Sequence, residues 1–171
     1  MLDTAEWQAV GFSLGITELV PRDAETSVVG HLGPDLLGPD WDAAEAARRL
    51  LADPTIPVFV ALQEQRNLAG IGNEYTNKLC FLRGLAPSRA TGEVRDVDGT
   101  LALALAHRLL IANRERPIRS TTGDLGPGRT SWFYGRAGLP CRRCETPIEH
   151  RMLGDTPLIQ RDAYWCPRCQ N

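Results

Sequence analysis

From Gln8 to Val20 apolar side chains fall at every second position, with Val10, Phe12, Leu14 and Ile16 in alternation, the pattern of a β-strand with one face turned inward. A second short strand is predicted at Ser27–Val29, with a turn at PRDAE between the two. Two strands make a poor independent unit, so this region reads as the edge of a larger sheet or of one that needs a partner. The run GHLGPDLLGPDWD, dense in Gly and Pro, then marks a boundary.

Beyond it the period lengthens to that of helices. Asp42 is placed to cap DAAEAARRLLAD, which Pro54 and Pro57 close off. A second helix is predicted over Val58–Gln65, with Val58, Ala61 and Leu62 on one face. The chain breaks at Gly70-Ile71-Gly72 and restarts at Asn73, after which Tyr75, Leu79 and Leu82 recur at helical spacing as far as Gly84. A longer helix is predicted over Asp98–Arg116, with Leu101, Leu105 and Leu109 in one stripe and Pro117 beyond. It is apolar nearly all round, as suits a central buried helix. Residues 117–140 read as loop.

Composition changes this picture little, and charge changes it more. The hydrophobic share of 43% is that of a globular domain with a sizeable core. No run approaches the roughly 18 apolar residues of a membrane helix, and MLDTAEW lacks the pattern of a secretory signal. A cytoplasmic setting follows as the expectation, and with it cysteines that act as metal ligands rather than as disulfides. The net charge is only −2, yet residues 1–57 carry ten acidic and three basic side chains, and the remainder eleven acidic and sixteen basic. A basic surface in the later two-thirds would meet phosphates, and 18 of the 19 basic residues are arginine, which binds phosphate in bidentate fashion.

Four of the five cysteines close the chain as Cys141-x2-Cys144 and Cys166-x2-Cys169, with 21 residues between the pairs. Four thiolates in two such pairs match the closed tetrahedral shell of one structural zinc ion, although the spacer is one residue beyond the usual window. The segment between them is predicted to form a hairpin, with strands Ile148–Leu153 and Leu158–Trp165 and GDTP at the turn. With all four positions filled by sulfur no place is open for catalysis, and so small a ribbon should depend on its metal to fold. His150 reads as a hairpin side chain rather than a fifth ligand, and Cys80 as a small buried apolar residue. At the glycine turn, Gly70 and Gly72 permit positive φ and leave the backbone open to a ligand. The following helix start offers unpaired N–H groups to an anion. Asn73 has two readings there, a helix cap or a donor to a phosphate.

LQEQRNLAGIGNEYTNKLCFLRGLAP resembles the helix-two-turn-helix motif of the formamidopyrimidine-DNA glycosylase/endonuclease VIII family. HLGPDLL is similar to that family's junction between domains, and YGRAGLPCRRCETPI with QRDAYWCPRCQ to its C-terminal zinc finger, down to an arginine five residues before the third cysteine. LLIANRERPIRSTTGDLGPGR looks closer to actinobacterial endonuclease VIII-like members. The resemblance implies a mainly α fold: a helix-two-turn-helix bundle with a C-terminal β-hairpin zinc ribbon, preceded by remnant strands of a missing N-terminal β-sandwich. It implies three parts, 1–36 the remnant strands and junction, 37–137 the DNA-binding bundle and 138–171 the zinc-finger hairpin. It further implies a monomer that binds double-stranded DNA containing oxidised bases, oxidised pyrimidines foremost, or abasic sites. Asn73, beside Gly70 and Gly72, and Arg161 would hold the phosphates that flank a flipped-out lesion, and Cys141, Cys144, Cys166 and Cys169 would bind one zinc. The family's N-terminal Pro-Glu does not match Met1-Leu2-Asp3, and Lys78 belongs to a helix of the binding domain, so no catalytic residue is expected in this chain. It is expected to be the C-terminal part of a bifunctional glycosylase/AP lyase. The alternative is a nucleic-acid-binding module without catalysis.

Overall fold

The computed structural model describes residues 1–12, 17–94, 101–115, 122–124, 126, 129, 131–157 and 159–170. They fall into two compact units, 1–31 and 32–171. Leu14, Ile16, residues 98–100 and 116–121, and Leu158, on which some sequence expectations rest, lie outside the described residues.

In the first unit β1 (Leu2–Asp3) pairs antiparallel with β2 (Gln8–Ala9), and the hydroxyl of Thr4 accepts from the Trp7 N–H at 2.9 Å across the turn. Val10 and Phe12 are exposed rather than turned inward. The strand predicted at Ser27–Val29 is instead the end of a short helix, α1 (Glu25–Val29), which continues a 3₁₀ turn at Arg22–Ala24. Pro21 sets the entry to that turn, and Asp23 and Glu25 stand at the helix start, where carboxylates are favoured. The β-branched valines, with no strand beside them, do not outweigh these local signals.

The second unit is built of helices and one hairpin. α2 (Ala43–Leu50) starts as the sequence predicts: Asp42 Oδ1 accepts from the N–H groups of Ala44 and Glu45, at 2.9 and 3.0 Å. It buries Ala46, Ala47 and Leu50, and outside them Glu45 bonds Arg48 and Arg49 at 2.7 Å each. α3 (Val58–Gln63) buries Val58, Phe59, Ala61 and Leu62, and ends two residues before the expected Gln65 because Glu64 is extended. α4 (Asn73–Arg83) buries seven residues in succession, Tyr75 to Phe81, and stops at Gly84, whose φ of 67° gives the left-handed cap that glycine permits. Seven in a row cover every side of a helix, so α4 is the central helix of the fold.

The apolar pattern assigns that central place to the longer helix, α5, described over Leu101–Asn113, and the structure does not. Its buried stripe is Ala102, Leu103, Ala106 and Leu110, while Leu105 and Leu109 are half-buried and Ala104, Arg108 and Ile111 are exposed. Alternating Ala and Leu spread apolar residues round the helix: Leu105 and Leu109 pack at the edge of the core, while the side of Ala104, Arg108 and Ile111 stays exposed. His107 Nδ1 lies 2.7 Å from the Leu36 carbonyl and its ring stacks on Trp41, tying α5 to the segment before α2.

The hairpin, β3 (Glu149–Leu153) with β4 (Arg161–Trp165), is antiparallel in the register Glu149↔Trp165 to Leu153↔Arg161. Its small core holds Cys141, Ile148 and Cys166, and is completed by Phe133 and by Phe81 of α4. Ala163 of β4 packs into the main helical core. The ribbon therefore shares its apolar contacts with the helices. Gln170 fastens its far end, accepting from the Cys166 N–H and donating to the Leu85 carbonyl, both at 2.8 Å. No helix of the described residues is long and apolar enough to cross a membrane.

Candidate nucleic-acid interface and metal centre

The turn between α3 and α4 is held by side chains that replace missing backbone bonds. Asn67 Nδ2 donates to the Ala61 carbonyl at 3.0 Å, Gln65 Nε2 to the Ile71 carbonyl at 2.8 Å, and Gln65 Oε1 accepts from the Gly70 N–H at 3.2 Å. The two glycines do different work. Gly70 has a φ of 98°, a conformation that L side chains rarely adopt. Gly72 is extended and exposed, and a Cβ built on it would meet nothing within 4 Å. Its backbone is thus uncovered, directly before the first turn of α4.

Gly72, not Asn73, occupies the cap position of α4, so the helix has no side-chain cap bond. As the first helical residue, Asn73 instead directs its amide sideways. Its Nδ2 donates to Tyr134 Oη at 3.2 Å, and its Oδ1 accepts from Asn77 Nδ2 at 3.1 Å and from Gln63 Nε2 at 3.4 Å. The first intrahelical bond comes from the Thr76 N–H to the Gly72 carbonyl at 2.9 Å. The N–H groups of residues 73–75 precede it and point out of the helix end, where the helix dipole favours an anion.

Arg161 opens β4 and is exposed, with Nη1 donating to the Gln160 carbonyl at 2.8 Å. Alternation along the strand puts it on the face of Ala163, the one turned to the helices. Arg161 lines a cleft of about 210 Å³ together with Val60, Gln63, Glu64, Gln65 and the hairpin residues Leu153, Gly154 and Ile159. Gln63, which bonds Asn73, lines that same cleft. The hairpin arginine and the residue that bonds the turn asparagine, far apart in sequence, therefore line one cleft.

The four cysteine sulfurs at the chain's end lie within 4.8 Å of one another. Cys144 Sγ is 3.4 Å from that of Cys166 and 3.3 Å from that of Cys169. Each pair sits on a tight turn: the Glu145 N–H donates to the Cys141 carbonyl at 2.8 Å, and the Gln170 N–H to that of Cys166 at 3.0 Å. The Arg143 N–H points at Cys141 Sγ from 3.4 Å. As free thiols, Cys144, Cys166 and Cys169 would compete for ionisation. Hydrogen bonds from Thr146 bring Cys144 down to about 6, while burial and neighbouring sulfurs push Cys169 up to about 12. A cation among them removes that conflict, and the donor set suits one metal ion.

The remaining candidates fall outside this cluster. His150 turns its Nε2 to Asp162 Oδ1 at 2.7 Å and its ring to Tyr164. Cys80 is fully buried, and burial pushes its thiol up to about 12, as fits an inert core residue. Lys78 is 2% exposed, and its Nζ has no hydrogen-bond partner among the described residues. Three residues of the site carry no sequence signal read above: Gln63, Asn77 and Tyr134. Tyr134 stands in the quoted YGRAGLP run, but only the fold shows that its hydroxyl meets Asn73, 61 residues earlier.

No family model matches the chain. Among curated proteins it is 46% identical over 170 residues to the DNA-(apurinic or apyrimidinic site) lyase Nei2 of Mycolicibacterium smegmatis, covering 99% of this chain and 65% of the relative. It is also 46% identical to the probable endonuclease 8 2 of Streptomyces coelicolor, covering 99% and 60%. With the formamidopyrimidine-DNA glycosylase of Paracoccus denitrificans it shares 34% identity over 169 residues, 91% of this chain and 57% of the relative. The chain thus spans less than two-thirds of the length of these relatives. Of solved structures, MutM (Fpg) of Thermus thermophilus superposes with a TM-score of 0.67 at 26% identity, over 85% of this chain and 56% of that one. Fpg of Lactococcus lactis in complex with abasic-site DNA has the same TM-score at 21% identity, over 88% and 56%. Likeness in sequence along nearly all its length, on a shared fold, relates this chain to a portion of the endonuclease 8 and formamidopyrimidine-DNA glycosylase proteins.

Proposed function

We propose that these 171 residues form the DNA-gripping portion of a base-excision-repair glycosylase/AP lyase that acts on oxidised bases, oxidised pyrimidines foremost. The observation that carries the reading is that Gln63, which bonds Asn73, lines the same cleft as Arg161. An uncovered glycine backbone and the open end of α4 lie beside them. In this reading α3, the glycine turn and α4 are a helix-two-turn-helix unit. Asn73 and the helix end hold one phosphate and Arg161 another, on either side of a nucleotide turned out of the duplex. Such a grip offsets the few kcal/mol that unstacking a base costs. The relatives' names and the abasic-site DNA bound by the Lactococcus lactis protein agree with that substrate class.

The ion held by Cys141, Cys144, Cys166 and Cys169 is zinc, one per chain, and its part is structural. It fixes the turns on which the hairpin, and so Arg161, is mounted. The protein works as a cytoplasmic monomer on double-stranded DNA. Cleavage in such enzymes needs an amine to form a Schiff base with the sugar. The chain's one lysine, Lys78, is buried in α4 and is not offered to that step, and we read the isolated chain as one that binds without cutting.

Fluorescence anisotropy with a duplex carrying an abasic-site analogue tests this directly. Affinity should fall with salt, and Arg161→Ala should weaken binding about tenfold and reduce the salt slope by about one, as loss of a phosphate contact does. Asn73→Ala should weaken binding with the slope unchanged, since an amide releases no counterion. A chain that fails to bind DNA at low salt with zinc present would overturn the proposal. Borohydride treatment on abasic DNA should trap no adduct, and a trapped one would place a nucleophile within these residues.

A further inference from the structure

One buried side chain joins the two proposed phosphate contacts. Asn77 lies one helical turn beyond Asn73 and is fully buried, and both ends of its amide are used. Nδ2 donates to the carbonyl of Asn73 at 2.9 Å, to Asn73 Oδ1 at 3.1 Å and to the carbonyl of Asp162 at 2.8 Å. Oδ1 accepts from the Tyr164 N–H at 2.6 Å. The last two partners lie 85 and 87 residues away on β4, and Asp162 is the residue next to Arg161.

These bonds do more than hold elements together. An asparagine amide has two donor hydrogens and two acceptor lone pairs, and here three carbonyl-type oxygens and one peptide N–H surround it. The rotamer of Asn73 is set from one side by Asn77 and Gln63 and from the other by Tyr134. The start of β4 is set by the same amide, through Nδ2 at the Asp162 carbonyl and Oδ1 at the Tyr164 N–H. We propose that Asn77 is a positioning residue, a rigid strut that fixes the distance between Asn73 and Arg161 so that both meet the DNA backbone at once. The inference rests on the reading of those two residues as phosphate contacts. Its physical content is pre-organisation: groups already held in the bound geometry lose less freedom on binding. Asn77 itself, being buried, touches no DNA.

Three features separate such a strut from a residue that merely stabilises the fold. Asn77→Ala should raise Kd about tenfold while leaving the salt slope of the parent unchanged, because no phosphate contact is lost. Its effect should be less than multiplicative with that of Asn73→Ala, since the two share one interaction. Leu103→Ala, which opens a cavity in the helical core on α5, should lower Tm and leave affinity within about twofold of the parent. Circular dichroism and metal content confirm folding of each variant. Should the alanine variant not fold, Asn77→Ser repeats the test, since its hydroxyl can bond the Asn73 carbonyl within the helix but cannot span to the hairpin.

A folded Asn77 variant with parental affinity, losses that multiply with Asn73→Ala, or an equal loss in Leu103→Ala would each overturn the inference alone. A parent chain with no DNA affinity would overturn the functional reading and this inference with it.

Discussion

Lys78 illustrates how much one residue can hold in tension. Its ammonium is buried without a hydrogen-bond partner among the described residues, and the face of Tyr75, 4.9 Å from Nζ, offers only partial compensation. Burial draws its pKa down to about 8 from the usual 10.5, with Glu74 pulling weakly the other way. Below pH 8 both folded and unfolded chains carry the proton, and the folded one bears the cost of a buried charge. Between pH 8 and 10.5 the unfolded chain holds more protons than the folded one, so stability should rise with pH. Lys78→Met keeps the stem and removes the charge. It should stabilise the chain at pH 7 by roughly 1–3 kcal/mol and abolish that rise. Urea denaturation of both proteins at pH 7 and pH 10 checks it, and a constant difference between them would contradict the account. None of this was legible in the sequence, where Lys78 is a polar residue in an otherwise ordinary helix. Asn77 and Tyr134 were hidden for the same reason, since their partners lie 61 to 87 residues away.

Among the elements, the turn between α3 and α4 separates conformation from access. A side chain at Gly70 must adopt φ near 98°, with its Cβ 3.2 Å from Asp35 Oδ1. Gly70→Ala should therefore cost about 1–2 kcal/mol of stability. Gly72 is extended with open space around it, so Gly72→Ala should change stability by only a few tenths of a kcal/mol. Yet its methyl group would stand where a phosphate is proposed to approach, and DNA affinity should drop at least fivefold at unchanged Tm. Thermal melts beside anisotropy tell the two apart. If Gly72→Ala bound as tightly as the parent, the phosphate would have to lie elsewhere. Elements announced by local chemistry were readable in advance: Asp42 capping α2, Gly84 ending α4, and paired cysteines flanking a hairpin. The failures came where the local signal was shared between structures. Ser27–Val29 has strand-forming residues but sits on a turn that feeds a helix, and α5 is apolar nearly all round, so that only packing chooses its buried side.

At the scale of the molecule the cysteine cluster and the helices are one mechanical system. Phe81 of α4 completes the core of the ribbon, and Ala163 of the ribbon completes the core of the helices. Metal removal should therefore disorder the hairpin and abolish DNA binding, while α2 to α5, with their own core, keep most of their helical signal. A chelator titration followed by far-ultraviolet circular dichroism and anisotropy checks this. Full DNA affinity in metal-free protein would show that the hairpin holds its shape without the ion. The division of charge along the chain, acidic before residue 58 and basic after it, was visible at once. What it could not reveal was which arginine faces the helices, because that is decided by strand register.

Register also governs how the length of this region can vary. Arg161 and Ala163 share a face of β4, so adding or deleting one residue between Arg161 and Cys166 would turn the arginine to the opposite side of the sheet. Extra residues in the segment 154–160, by contrast, lengthen the bend and leave both strands in place. Insertions and deletions among related chains should thus gather at the hairpin tip, while the interval from the arginine to the third cysteine keeps its count. In a library of loop-length variants, the tip is where diversity can be placed without turning Arg161.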